Sequence, residues 1–291
     1  MCDNARKLRS GMNSALPVTG RAIRGHLDLR CDLRADGMPY LSRQSFRAPV
    51  HLGKGHLDSG ALVVQLANPT AGFFDGDRLD LHATAGEGTH LVLSTPGASR
   101  VHTARGPGVA ACHQHLAIEA GAFLEWIPEP FIPQARARYV QSTAIDLDKD
   151  AGLLFFEWIA PGRVARGEVF AYESLRWELD LRVAGKLVAR ERYELKPGDH
   201  STVTLRERFA ASHHVTTYVA GIEPERWPAR KLDALSTEDV YLGHGPLTGG
   251  VHLVRALCRD GLHARRLVGE LRELLYSTGG RHAPRLGRLF L

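Results

Sequence analysis

Two carboxylates stand among residues that exclude water. Glu125 in "FLEWIP" and Glu157 in "LLFFEWIA" each close an apolar run, and each is followed directly by tryptophan. Burying a carboxylate is costly unless it is paired, so each residue implies a partner or a chemical task. Arg163 and Arg166 of "PGRVARGE" are the partner candidates. An acid in an apolar setting also suits a hydrolase, so Glu125 and Glu157 with nearby histidines define one candidate catalytic set.

Three further clusters carry ligand-type side chains. In "CHQH", a strand would turn Cys112 and Gln114 to one face and His113 and His115 to the other, so at most two ligands converge. His213 and His214 diverge for the same reason and read as a loop pair. Asp75, Asp77 and Asp80 of "FFDGDRLD" resemble a calcium-loop fragment without its spaced oxygens and closing Glu, which reads as a turn with solvated carboxylates. The chain has no GxxxxGK[ST] phosphate loop, HExxH, GxSxG elbow or strand-adjacent GxGxxG, so the common nucleotide, zinc-protease and serine-hydrolase signatures are missing.

Short extended elements must position these groups. "HLDLRCDL" alternates Leu27, Leu29, Cys31 and Leu33 against polar neighbours, the period of a half-buried strand. Similar runs continue to "STVTLRERF", separated by Gly, Pro and Asp turns, and "LRWELDLRV" and "KLVARERYEL" form a hairpin through Ala184 and Gly185. The body over 26–223 is therefore all-β, compatible with a sandwich, a barrel or a strand-stacked coil, and no repeat of fixed length stands out. From 224 to 291 a connector rich in Gly and Pro leads into "GGVHLVRALCRDGLHARRLVGELRELLYS", whose apolar spacing predicts two helices broken near Asp260.

Charge is segregated. Residues 1–25 carry +4 and residues 255–291 carry +5, whereas the body between is −4. A basic tail and a solvated helix face account for this pattern without nucleic acid. Four scattered cysteines form no CxxC pair and read as reduced thiols. No apolar run is long enough for a membrane span or a secretory leader, which points to the cytoplasm.

Five segments in this order, "NPTAGFFDGDRL", "LVLSTPGASRVHTARG", "GAFLEWIPEP", "FEWIAPGRVARGEVF" and "HAPRL", resemble the urease accessory protein family UreD, also called UreH. The resemblance runs from about residue 26 to the end of the chain and implies one domain over 26–291: a β-helical stack of short strands with a small C-terminal helical region. It also implies a non-catalytic maturation factor that binds UreF and, through it, the GTPase UreG. This assembly docks on apo-urease and hands over nickel, held only in transit. Glu157 and Glu168, with Asp77 as a weaker candidate, are the carboxylates suited to such a path, because one or two oxygens bind the ion and release it. In the turn "NPTAGFFDGDRL", Phe73 and Phe74 would plug a core or a partner surface.

Overall fold

The alternating runs wind into a coil. The computed structural model describes residues 22–68, 72–197 and 212–286. An antiparallel pair, β1 (Arg24–Leu33) and β2 (Pro39–Arg47), opens the chain, followed by the short β3 (His51–Leu52) and β4 (His56–Asp58). A β-solenoid of about four turns follows. Its coils run from β5 (Ala61–Ala67) to β6 (Arg78–Ala85), and from β7 (His90–Ser94) through β8 (Ser99–Val101) to β9 (Ala110–Ile118). Next come β10 (Phe123–Ile127), β11 (Phe131–Pro133) and β12 (Arg138–Leu147), then β13 (Gly152–Ile159) and β14 (Ser174–Val183). The chain then passes through β15 (Lys186–Leu195), β16 (His213–Ala220), β17 (Val240–Pro246) and β18 (Val251–Cys258).

Two sheets result. The first has the order β15-β14-β12-β9-β6-β1-β2, and the second runs β17-β18-β16-β13-β10-β7-β5-β3. Each is parallel at its centre and closed at both ends by antiparallel pairs. In-register pairing lines up inward residues as rows, such as Leu29, Ala83, Leu116, Ile145 and Leu181 across the first sheet. These rows meet Leu62, Leu91, Leu124 and Leu153 of the second sheet, and the main core lies between the two sheets. The reading of Leu27, Leu29 and Cys31 as a buried face holds, while Leu33, at the strand's end, is exposed. "STVTLRERF" lies outside the described residues, as do residues 1–21 of the basic tail.

The two edges of the coil differ. Residues 86–89, 119–122 and 148–151 turn tightly from the first sheet to the second, and Gly88 and Gly121 take positive φ there. Residues 72–77, 95–109, 128–137 and 160–173 lie on the opposite edge in longer loops, two of which carry the short β8 and β11. Four of the five family-like segments run through this long-loop edge.

The C-terminal region departs from the two-helix expectation. Residues 251–258 form β18, because their alternation buries His252, Val254, Ala256 and Cys258 between β16 and β17. Both periods fit so short a run, and the antiparallel neighbours decide between them. The connector is also ordered, with a short helix α1 (Ala229–Asp233) and β17, and Trp227 stacks on His252 at 4.0 Å. Helix α2 (Gly261–Thr278) starts at Asp260, whose side chain accepts from the amides of Leu262 and His263. Its apolar face covers the outer side of the second sheet and builds a second core with Val92, Phe156 and Val254.

One ion pair anchors that helix. Arg272 donates to Glu125 Oε1 and Oε2 at 2.5 and 2.8 Å, and Tyr276 Oη donates to Oε2 at 2.7 Å. Glu125 is fully buried and Arg272 is 6 % exposed, so the pair is shielded from water. The partner of Glu125 is thus Arg272, 147 residues away, not Arg163 or Arg166.

Arg272→Met should strand a buried carboxylate and lower unfolding free energy by about 3–5 kcal/mol. Glu125→Met combined with Arg272→Met should recover more than half of that loss. Urea unfolding of both variants checks this, and equal losses in the single and double variants would contradict it.

Candidate functional site

A cavity of about 110 Å³ lies between the sheets, just inside the long-loop edge. Its first-sheet wall comes from the starts of β6, β9, β12 and β14: Leu79, Cys112, Gln114, Tyr139, Gln141 and Trp177. Asn68, Thr95, Ser99, Pro128 and Glu129 of the long loops also border it, and Glu157 enters from β13.

The wall is apolar with a chain of satisfied polar groups. Gln114 Nε2 donates to Thr143 Oγ1 at 2.9 Å, Tyr139 Oη donates to Gln141 Oε1 at 2.6 Å, and Gln141 Nε2 donates to Thr143 Oγ1 at 3.3 Å. Buried amides and hydroxyls paired in this way lose little on leaving water. Cys112 shares the wall, and burial pushes its thiol up to about 12.

Glu157 is the carboxylate on this wall. It is 9 % exposed, and its Oε1 accepts from Trp177 Nε1 at 2.6 Å. Burial raises its pKa to about 7; the Trp177 hydrogen bond opposes that rise, Glu191 adds to it and Arg255 opposes it. The group therefore changes charge near neutral pH inside an apolar wall.

The other expected carboxylates are elsewhere. Glu168 Oε2 accepts from Arg163 Nε at 2.8 Å and from the Ala135 amide at 3.0 Å, and the Arg163 contact holds its pKa below the usual range. Asp77, 2 % exposed, accepts from the amides of Ile23 and Phe74 at 2.7 and 2.8 Å. Neither lines the cavity with Glu157. Of the turn carboxylates expected to be solvated, Asp77 is buried, whereas Asp75 and Asp80 stay at the surface with partners. Asp75 accepts from the amides of Arg105 and Gly106, both at 2.6 Å, so it ties two loops together, and Asp80 pairs with Arg78. Arg163 serves Glu168, so it is not the partner of Glu157, whose donor is an indole.

The remaining clusters separate. Cys112 and Gln114 face inward and His113 and His115 outward, as the alternation predicts, and His115 pairs with Asp146 at 2.7 Å. His213 and His214 lie on β16 rather than in a loop; His213 is buried against Trp158 Nε1 at 3.0 Å, and burial lowers its pKa to about 4. Among the described residues, no three His, Cys, Asp or Glu side chains are placed to hold a metal ion together. Cys31, Cys112 and Cys258 are buried and unpaired. Phe73 is in the core, while Phe74 is 49 % exposed and stacks on His102 at 4.2 Å.

Sequence reasoning missed the polar wall. Gln114 and Gln141 both fall on the apolar phase of their strands, which marks an inward amide needing partners. Trp177 falls on the buried phase of β14, and its role as donor to Glu157 is legible only from the fold.

A family model described as UreD urease accessory protein matches residues 24–289. A urease accessory protein UreD of Opitutus terrae is 37% identical over 261 residues, 86% of this chain and 93% of that one. One from Deinococcus radiodurans is 35% identical over 188 residues, 64% of this chain and 67% of that one. A third, from Herpetosiphon aurantiacus, is 29% identical over 256 residues, 87% and 88% of the two chains.

The raised pKa of Glu157 gives a signed prediction. Its folded value of about 7 exceeds the ordinary 4.5, so the folded state keeps a proton that the unfolded chain has lost between these values. The group's contribution to stability is then best at low pH, falls as pH rises through that window and is a full penalty above it. Glu157→Gln should stabilise the protein by about 3 kcal/mol at about pH 8 and by little near pH 4.5. Urea unfolding at both values tests this; equal effects at the two would contradict it.

Proposed function

The chain belongs to the UreD family of urease accessory proteins, and on that premise we propose that it serves urease maturation as a nickel-conducting scaffold rather than as a catalyst. It joins UreF, and through UreF the GTPase UreG, and the assembly docks on apo-urease in the cytoplasm. Nickel is cargo, passed on rather than kept. The family supports a role in urease maturation; the division of labour fits a chain without a phosphate-cradling loop.

The observation that carries the nickel path is Glu157 on the wall of the interior cavity. A divalent ion entering the cavity displaces the proton that burial keeps on this carboxyl. The neutral Gln114 and Gln141 side chains offer weak oxygen ligands nearby, and a carboxylate with amide oxygens binds such an ion weakly enough to let it go. Of the three carboxylates first considered, Glu157 is the best placed. Glu168 would have to leave Arg163, and Asp77 would have to leave two backbone amides.

A hydrolase built on Glu125, Glu157 and histidines draws no support. Glu125 is held by Arg272 and Tyr276 beneath helix α2, on the opposite face of the second sheet from the cavity. No helix among the described residues is long and apolar enough to cross a membrane.

Deleting the gene should leave urease synthesised but nickel-free and inactive at ordinary nickel concentrations; active, nickel-loaded enzyme would refute the proposal. Glu157→Gln should keep its complex with UreF and lose nickel loading of urease, read as metal per active site. Undiminished loading would remove Glu157 from the path. The purified chain should not bind GTP in a calorimeter.

A further inference from the structure

The solenoid places four loops of different length on one edge, and hydrogen bonds weld them into a single layer. Phe73 donates its amide to Arg100 O at 2.7 Å, Gln134 to Val101 O at 2.9 Å, and Arg136 to Ala171 O at 2.8 Å. Asp75 bridges to Arg105 and Gly106, and Glu168 to Ala135. Backbone tied in this way is ordered before any partner arrives, so docking to it costs little conformational entropy.

The acids of this edge are spent internally and, apart from Arg163, its arginines are not. Asp75 and Asp77 bind backbone amides, Glu168 binds Arg163, and Glu129 binds Arg265 of helix α2 at 2.9 Å. Glu173 is the exception, exposed and 3.4 Å from Arg138. Arg100, Arg105, Arg136 and Arg166 are exposed, and among the described residues none forms an ion pair with a carboxylate, although Arg166 is near enough to Glu168 to help lower its pKa. The formal charges of the loops cancel, but the surface that a partner touches is guanidinium. The four loops contain no lysine, and Phe74 and Val164 stand exposed among them. Arginine and aromatic side chains with lysine depleted is the make-up of protein interfaces, and rigidly mounted guanidinium groups suit carboxylates.

We propose that the long-loop edge is a docking face for a protein partner whose surface presents carboxylates. Phe74, braced by His102, is the apolar anchor, and Arg100, Arg105, Arg136 and Arg166 meet the carboxylates. The face lies on the loops that border the cavity, so a partner seated there adjoins the cargo's route; this last point rests on the proposed function, whereas the docking face does not.

The test uses the full chain with purified apo-urease and with purified UreF, assayed separately for affinity. Arg100→Glu with Arg136→Glu should weaken binding to one of them by about tenfold or more. Lys149→Glu with Lys186→Glu, a matched reversal on the tight-turn edge, should leave it unchanged. Salt should weaken the wild type more than the loop-edge variant. Phe74→Ser, a surface change carrying no charge, provides a second reading should the double reversal lower the melting temperature, and it should also weaken binding. Loop-edge variants that both leave every wild-type interaction with these two proteins intact overturn the docking face alone. A wild-type chain that binds neither protein overturns the docking face and the proposed function together. Binding of a short RNA that the reversal abolishes, with protein binding intact, assigns the arginines to nucleic acid and also overturns the proposal.

Discussion

In-register parallel pairing between successive coils is the constraint on which the molecule rests. Once Leu81 is opposite Gln114 and Gln114 is opposite Thr143, each strand's inner face is fixed by its neighbour's, because a slip of one residue would turn every side chain to the other face. The tight turns 86–89, 119–122 and 148–151 preserve that register. All variation in coil length is thereby pushed to the opposite edge, where the loops differ. The edge free to vary is also the one that borders the cavity and exposes unpaired arginines.

The same constraint separates two carboxylates with nearly identical local sequences. β10 reads "FLEWI" and β13 ends in "FFEWI", but strand pairing sets Trp126 beside Phe155 and Glu125 beside Leu154. The two Glu-Trp pairs are displaced by an odd number of positions in the stack, so they face opposite ways. Glu125 turns outward beneath helix α2 and finds Arg272; Glu157 turns inward to the cavity and finds only an indole donor. One is a closed ion pair and the other a carboxyl with its proton close to balance, although their immediate neighbours are alike.

This explains what could be read from the residues alone. Alternation located β1, β5 to β7, β9, β10 and β12 to β15, while β2, β16, β17, β18 and the short β3, β4, β8 and β11 escaped it; the inward phase of Cys112 and Gln114 held, because period two survives whatever the neighbours are. The coil itself left no fixed period: the in-register partner is 33 residues on from Arg78 at Ala111, but 29 on from Ala110 at Tyr139 and 36 on from Arg138 at Ser174. Family-like segments pointed to a stack of strands where periodicity left three architectures open. Residues 251–258 were misread because six apolar positions in eight satisfy both helix and strand, and only β16 and β17 break the tie. Partner identities such as Glu125 with Arg272 were out of reach, since nothing local in either segment encodes the other.

That long separation bears on how the chain is made. Glu125 emerges from the ribosome 147 residues before Arg272, and the segment beyond the helix stitches back to the first coil, with the Arg285 amide on Asp58 and Gln65 Nε2 on Leu286 O. The coils can pair as they appear, yet the outer face of the second sheet stays uncovered and Glu125 uncompensated until the final segment arrives. Folding of the second core therefore waits until helix α2 has been made, and until then the nascent chain displays a broad apolar sheet face to whatever else is nearby.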